Sequence, residues 1–142
     1  MDYPYTAENV KCLEPSFNQK WATCTSNKIS YSSTGLSNEV MKTAINTYGA
    51  MAGAVRASSY YFQFVASGIA RSANCNTGSG GIDHAVTFVG WGTENGIDYW
   101  IMANSWGRSW GNNGFGRMEM DSGKGGCLSQ LLLIYPTGCT LL

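Results

Sequence analysis

One histidine, His84, stands among the 142 residues, and the run Asn104-Ser105-Trp106-Gly107 follows it in the chain. Imidazole is the side chain best suited to take and give protons near neutral pH. It acts as a base only when another group fixes its tautomer and aims its free nitrogen, and an asparagine amide oxygen can do this by accepting one ring N–H. Residues 84–91 and 98–104 both read as strands, rich in β-branched and aromatic side chains. Between them Glu94-Asn95-Gly96 is a turn signal, because Asn-Gly takes positive φ cheaply. Opposed residues of an antiparallel pair have numbers with a constant sum, about 190 for a turn centred near Asn95. His84 then faces Ser105 or Trp106, and Asn104 lies within the play of one or two positions that such a turn allows. The hairpin thus predicts His84 beside Asn104 at its open end, with Trp106 placed to roof the pair. Periodicity alone leaves an equal alternative, a core histidine satisfied by a backbone carbonyl.

The remaining elements must hold that hairpin. Residues 37–48 predict a helix: Ser37 can cap it, Glu39 suits its positive end, and Gly49 follows where a C-terminal cap wants positive φ. Val40, Met41, Ala44, Ile45 and Tyr48 fall on one face at helical spacing. Residues 51–57 read as a buried strand and 58–66 as a short helix stopped near Gly68. Two further strands are expected at 114–120 and 131–135. Residues 1–35 are polar and without periodicity, which predicts extended loops with one short strand. The expected fold class is α+β, a strongly bent antiparallel sheet or partial β-barrel with short helices packed on it, as a single domain over 1–142.

Composition narrows the function. Lys and Arg number 9 and Asp and Glu number 9, so the net charge is zero. No basic block exists, which argues against a nucleic-acid partner. No apolar run approaches the ~20 residues of a spanning helix. Residues 1–5 lack the basic-then-apolar pattern of a signal peptide. The five cysteines Cys12, Cys24, Cys75, Cys127 and Cys139 form no CxxC pair, which argues against a zinc knuckle or a thioredoxin-type site; no metal or cofactor is expected. Spread cysteines suit disulfides and an oxidising compartment, and an odd count leaves at least one thiol unpaired within the chain. Disulfides without a signal peptide are reconciled if an N-terminal portion is missing.

Several segments, in order, resemble the papain-like (cathepsin-like) cysteine peptidases. They are Tyr3-Pro4-Tyr5, Phe62 through Gly68-Ile69, Asp83-His84-Ala85-Val86, Val89-Gly90-Trp91-Gly92, Tyr99-Trp100-Ile101, Asn104-Ser105-Trp106-Gly107, Trp110-Gly111, Asn113-Gly114-Phe115 and Tyr135-Pro136. The resemblance implies a two-lobed fold of which this chain holds mainly the right-hand, sheet-rich lobe. It implies a Cys-His-Asn endopeptidase in which His84 is the general base and acid, Asn104 orients it and Trp106 shields their hydrogen bond. The family nucleophile, in Cys-Gly-Ser-Cys-Trp, lies about 130–150 residues before the histidine, which places it roughly 46–66 positions before Met1. None of the five cysteines has those neighbours. The expectation is a part that is inactive alone; the alternative is a truncated pseudopeptidase acting as a binding or inhibitory module.

The resemblance also places Ala54, Ile82, Ala85 and Leu132 in the main specificity pocket, which would suit a bulky hydrophobic residue, with Leu132 disfavouring Arg; plain core strand is an equal reading of Leu131 to Leu133. It implies a Cys75–Cys127 disulfide, and a link from Cys12 to the missing N-terminal lobe or light chain. Cys24 and Cys139 have no clear counterpart; a Cys12–Cys24 bridge is one open pairing, which spacing does not establish. Ala103 stands where the family usually has Lys. Asp83 should point away from the His84 side by strand alternation, as a structural or pocket-lining residue. The partners implied are a peptide or protein substrate and the other lobe, in a lysosomal, vacuolar or secreted setting. The bare interface between lobes predicts poor solubility.

Overall fold

Ser37 accepts a hydrogen bond from the Val40 N–H at 3.3 Å, and Gly49, at φ 82°, returns its N–H to the Ile45 carbonyl at 2.9 Å. These two caps bound helix α1 (Asn38–Tyr48) in the computed structural model, which describes residues 22–77, 79–121 and 123–141. Met41, Ala44 and Ile45 turn inward, while Val40 and Tyr48 sit half-exposed at the rim, where Tyr48 stacks on Tyr135 at 4.6 Å. The elements run β1 (Ala22–Tyr31), α1, β2 (Met51–Val55), α2 (Tyr60–Gln63), β3 (Ile69–Ala70), α3 (Ser72–Cys75), β4 (His84–Glu94), β5 (Ile97–Ala103), β6 (Phe115–Glu119) and β7 (Leu132–Leu141). A short 3-10 turn, Gly126–Leu128, precedes β7.

The strands make one open sheet in the order β1-β7-β2-β4-β5-β6-β3. Its pairs are antiparallel except the two-residue β3–β6 contact. This is the expected unclosed, mostly antiparallel sheet with short helices. The core lies along its centre, where Phe88 opposes Met102 and Trp100 opposes Met118, all fully buried with Val55, Met51, Met41 and Phe62. Burial of that many large apolar side chains is the main stabilising force, at roughly 1.5–3 kcal/mol each.

Three expectations are corrected. The first is the loop reading of 1–35: β1 is a ten-residue strand that pairs with β7 from Ala22↔Leu141 to Tyr31↔Leu132. Its residues Thr23–Ile29 are exposed, so no alternating pattern marks it; the partner strand, not amphipathicity, makes it a strand. β7 likewise continues past the expected end at 135. The second is the Cys12–Cys24 bridge: Cys24 is opposite Cys139 on the β1–β7 ladder and bonded to it, with Cα atoms 3.9 Å apart. Cys12 and Tyr3-Pro4-Tyr5 lie outside the described residues. The predicted helix over 58–66 is a single turn, α2, because the Phe64 backbone leaves helical geometry.

Cys75 and Cys127 are bonded, with Cα atoms 4.7 Å apart, tying α3 to the 3-10 turn. Cys127 and Leu128 both adopt left-handed backbone, φ 54° and 60°. That costs of order 1 kcal/mol or more per residue and persists only when neighbours fix it. Here the Arg56 N–H donates to the Cys127 carbonyl at 2.8 Å and the Leu128 N–H donates to Asn76 Oδ1 at 2.9 Å. The buried Arg56 guanidinium donates to the carbonyls of Thr77 and Asn76 at 2.8 and 2.9 Å, so one side chain braces the same corner.

Non-reducing peptide mapping should recover Cys24–Cys139 and Cys75–Cys127 as linked fragments; a Cys12–Cys24 fragment would contradict the ladder. Replacing Cys75 and Cys127 together by Ser should lower unfolding stability by about 4 kcal/mol, read from denaturant midpoints.

Candidate active site

The imidazole is delivered by β4 and the amide by the chain that leaves β5. His84 begins β4, opposite Val55 of β2. Near the open end of the hairpin Thr87 opposes Ala103 and Phe88 opposes Met102, the expected register; an irregularity between Phe88 and Gly90 shifts the rest by one. The ladder stops at Ala103. Asn104 then gives its N–H to the Gly114 carbonyl at 2.9 Å, one step past the Ala103↔Phe115 pair of β5 and β6. The result is a contact of 2.8 Å between His84 Nε2 and Asn104 Oδ1.

The chemistry of this contact follows from a second donor. The Ser105 N–H also meets Asn104 Oδ1, at 2.8 Å. A backbone N–H can only donate, so the shared atom is the amide oxygen, and an amide oxygen can only accept. His84 Nε2 therefore carries the hydrogen, and in the neutral ring Nδ1 keeps the lone pair. Asn104 Nδ2 is buried without a hydrogen-bond partner among the described residues, so the polar atoms of this side chain are unequally served.

Aromatic rings enclose the pair. Trp106 is tilted against His84 with centroids 5.0 Å apart, and Phe62 meets the ring edge-on at 6.1 Å. Phe62 also packs on Trp106 at 5.3 Å and on Trp110 at 5.1 Å, and the Trp110 Nε1–H donates to the Phe62 carbonyl at 3.1 Å. Low-polarity walls around the His–Asn contact strengthen it and exclude competing water. Sequence spacing located His84, Asn104 and Trp106. It missed Phe62 as the floor, because that contact joins segments with no local link, and it missed Ser105 as second donor. The Asn-Ser pair did carry a signal: asparagine side chains often bond the backbone N–H of nearby residues.

Asp83 is structural. Its two carboxylate oxygens accept from the Ala57 N–H at 2.5 Å and the Ser58 N–H at 3.2 Å, clamping the turn that leads into α2. Partial burial raises its pKa, but the bonds from Ser58 and Ala57 and the charge of His84 outweigh that and hold it below the usual carboxylate value. The remaining sequence-predicted residues form a row. Ala54 opposes Ala85 across β2 and β4, and the Gly53↔Leu133 pairing sets Leu132 level with Ala54 on the other side. Ala54 is buried, Leu132 half-buried and Ala85 exposed; Ile82, half-buried, lies just before β4.

A family profile described as papain family cysteine protease matches residues 1–136. Cysteine proteinase COT44 of Brassica napus is 36% identical over 137 residues, covering 95% of this chain and 39% of that protein. Digestive cysteine proteinase 3 of Homarus americanus is 38% identical over 118 residues, 82% of this chain and 34% of that protein. Cathepsin K of Mus musculus is 35% identical over 114 residues, 80% and 32% respectively. Among solved structures, that of a bromelain protease from Ananas comosus bound to an inhibitor superposes with a TM-score of 0.72 at 32% identity, covering 96% of this chain and 60% of that one. One from a study of the mite allergens Blo t 1 and Der p 1 gives 0.76 at 31% identity, covering 95% and 41%. The chain thus spans less than half the length of these curated relatives.

Nitrogen NMR should find neutral His84 as the Nε2–H tautomer, with Asn104→Ala mixing the two tautomers; a predominant Nδ1–H form would refute the assignment. Because the folded pKa of Asp83 is depressed, its stabilisation is present above the ordinary carboxyl pKa and is lost as pH falls through the folded value. Asp83→Asn should therefore lower stability near neutrality and flatten the acid limb of the stability–pH curve.

Proposed function

This chain belongs to the papain family of cysteine proteases, and from that membership we propose that His84 and Asn104 are the proton-transfer half of a peptide-hydrolysing site. The observation that carries the proposal is the Nε2–Oδ1 contact, which leaves Nδ1 as the ring nitrogen without a hydrogen bond among the described residues. A thiol set against Nδ1 passes its proton there and becomes a thiolate, stabilised by the imidazolium. Thiolate sulfur attacks the peptide carbonyl carbon, and the carbonyl oxygen takes the negative charge. Nδ1–H then protonates the leaving amine, the C–N bond breaks, and a thioester remains. Water attacks the thioester, Nδ1 takes its proton, and the acid departs with the thiolate restored. Asn104 holds the ring's orientation through both transfers, and Trp106 keeps water from their hydrogen bond.

The thiol comes from polypeptide beyond these 142 residues, from a helical lobe carrying Cys-Gly-Ser-Cys-Trp. Cys24, Cys139, Cys75 and Cys127 are consumed in disulfides, which cannot act as nucleophiles. Cys12, the fifth, tethers that lobe. The row of Leu132, Ala54 and Ala85, with Ile82, accepts a bulky hydrophobic residue next to the cleaved one; without an acidic partner there, a substrate Arg pays its desolvation uncompensated. Two disulfides suit a lysosomal, vacuolar or secreted location.

Alone, the chain should not hydrolyse a dipeptide reporter. Joined to a helical lobe from a papain-family relative it should do so, and His84→Ala should cut kcat/KM by about 100-fold or more. Hydrolysis by the chain alone, lost on His84→Ala, would overturn the division of the site. In the joined protein Phe should be preferred over Arg at the position next to the cleaved residue, the one this row accepts; Leu132→Glu should shift that preference toward Arg.

A further inference from the structure

We propose that the Cys24–Cys139 disulfide is a thiol-exchange site: a small thiol of the glutathione class reduces it selectively, and the outer end of the β1–β7 ladder opens when it does. The proposal uses neither His84 nor Asn104 and goes beyond the peptidase reading. The first observation is access. Cys24 and Cys139 are both exposed, whereas Cys75 and Cys127 are fully buried. Exchange begins with a thiolate reaching a sulfur atom, so the two bonds stand far apart in reactivity. An anionic thiol also meets no acidic side chain on either strand: β1 and β7 carry no Asp or Glu, and Lys28 is their one charged side chain.

The second observation is how little else holds these strand ends. β1 is the outermost strand of the sheet, beside β7. From Thr23 to Tyr31 it buries no side chain, and Ser30 alone is half-buried. β7 in turn pairs with β2 only at Leu133 and Ile134, so from Tyr135 onward its strand partner is β1. Next to the disulfide the ends share ladder bonds and exposed side-chain bonds: Ser26 Oγ meets Thr137 Oγ1 at 2.6 Å, and the Thr25 hydroxyl donates to the Thr137 carbonyl at 3.3 Å. Exposed hydrogen bonds with no apolar burial behind them open at low free-energy cost. The disulfide, which closes 115 residues of chain, is therefore the main tie between these ends. The opening has a natural stop. Tyr135 is buried and stacks on Tyr48 at 4.6 Å, and Leu133 is fully buried. Residues 23–26 and 137–141 come apart, while β7 stays seated from Leu133 to Tyr135.

The same contrast sets the equilibrium. A disulfide resists reduction when its two thiols, once freed, are still held together. The Arg56 N–H on the Cys127 carbonyl and the Leu128 N–H on Asn76 Oδ1 hold the Cys75–Cys127 corner in that way. Freed Cys24 and Cys139 separate with the fraying ends. In the exchange a thiolate attacks one sulfur of the pair, the S–S bond breaks, and the other cysteine leaves as a thiolate and takes a proton. A second small thiol attacks the mixed disulfide and releases the remaining cysteine together with a small-molecule disulfide. Two small thiols are oxidised, and the protein disulfide takes the two electrons.

The full chain carrying Cys12→Ser, which removes the fifth thiol, would be held without denaturant in reduced glutathione, quenched with acid at timed intervals, alkylated and mapped by mass spectrometry. Cys24 and Cys139 should reach half-labelling about tenfold or more sooner than Cys75 and Cys127. Hydrogen exchange of the reduced protein should rise at residues 23–26 and 137–141 and stay unchanged in β4 and β5. The double variant Cys24→Ser, Cys139→Ser should show the same exchange pattern with no thiol added. Resistance of Cys24–Cys139 to glutathione, equal labelling of the two pairs, or strand ends that stay protected after reduction would overturn the proposal. So would faster exchange that spreads into β4 and β5 in either protein.

Discussion

One amide oxygen organises this lobe. Asn104 Oδ1 receives the His84 ring N–H and the Ser105 N–H together, and neither donor alone would fix its meaning. The backbone donor identifies the atom as oxygen; the oxygen then sets which ring nitrogen is protonated. Much of the surrounding structure keeps that three-centre arrangement in place. β2 and β4 present His84, the Gly114 carbonyl anchors the Asn104 N–H at the end of β5, and Phe62, Trp106 and Trp110 pack around the pair. Interlocked aromatic rings hold this arrangement with little side-chain freedom to lose.

The site was more legible in the sequence than the fold was. The Asn95-Gly96 turn states its own geometry, so the register of β4 and β5 could be counted from it, and the contact between His84 and Asn104 follows within two positions. α1 was equally plain, because Ser37 and Gly49 mark its ends chemically. β1 was not, since its residues are polar on both faces and it becomes a strand only by pairing with β7. The Cys24–Cys139 pairing was hidden for the same reason, because it depends on that ladder. Phe62, Trp110 and Asp83 act across distant segments, and no window of sequence reports such a contact.

A division of labour among polar side chains runs through the molecule. Those near the site orient, and those behind it brace. Asp83 sits beside His84 yet spends both oxygens on the turn at Ala57 and Ser58. Glu119, nearly buried, holds the Ser72 N–H and hydroxyl and the Arg71 guanidinium, fixing the start of α3. Gln130, fully buried, bonds Leu36 and Asn38 with its amide nitrogen and the Asp121 N–H with its oxygen, joining the entry of α1 to the loop before β7. Each of these satisfies groups that a short helix or loop would otherwise bury unpaired.

The β1–β7 ladder has a consequence in time as well as in space. The residues it joins lie more than a hundred positions apart, whereas β4 and β5 are joined by a two-residue turn. Local closure outruns distant closure, so the hairpin carrying the imidazole can zip within microseconds of its synthesis, while β1 must wait for β7 to leave the ribosome. Oxidation of Cys24 with Cys139 can only follow that meeting, which makes this bond a latch closed after the rest of the sheet has been assembled.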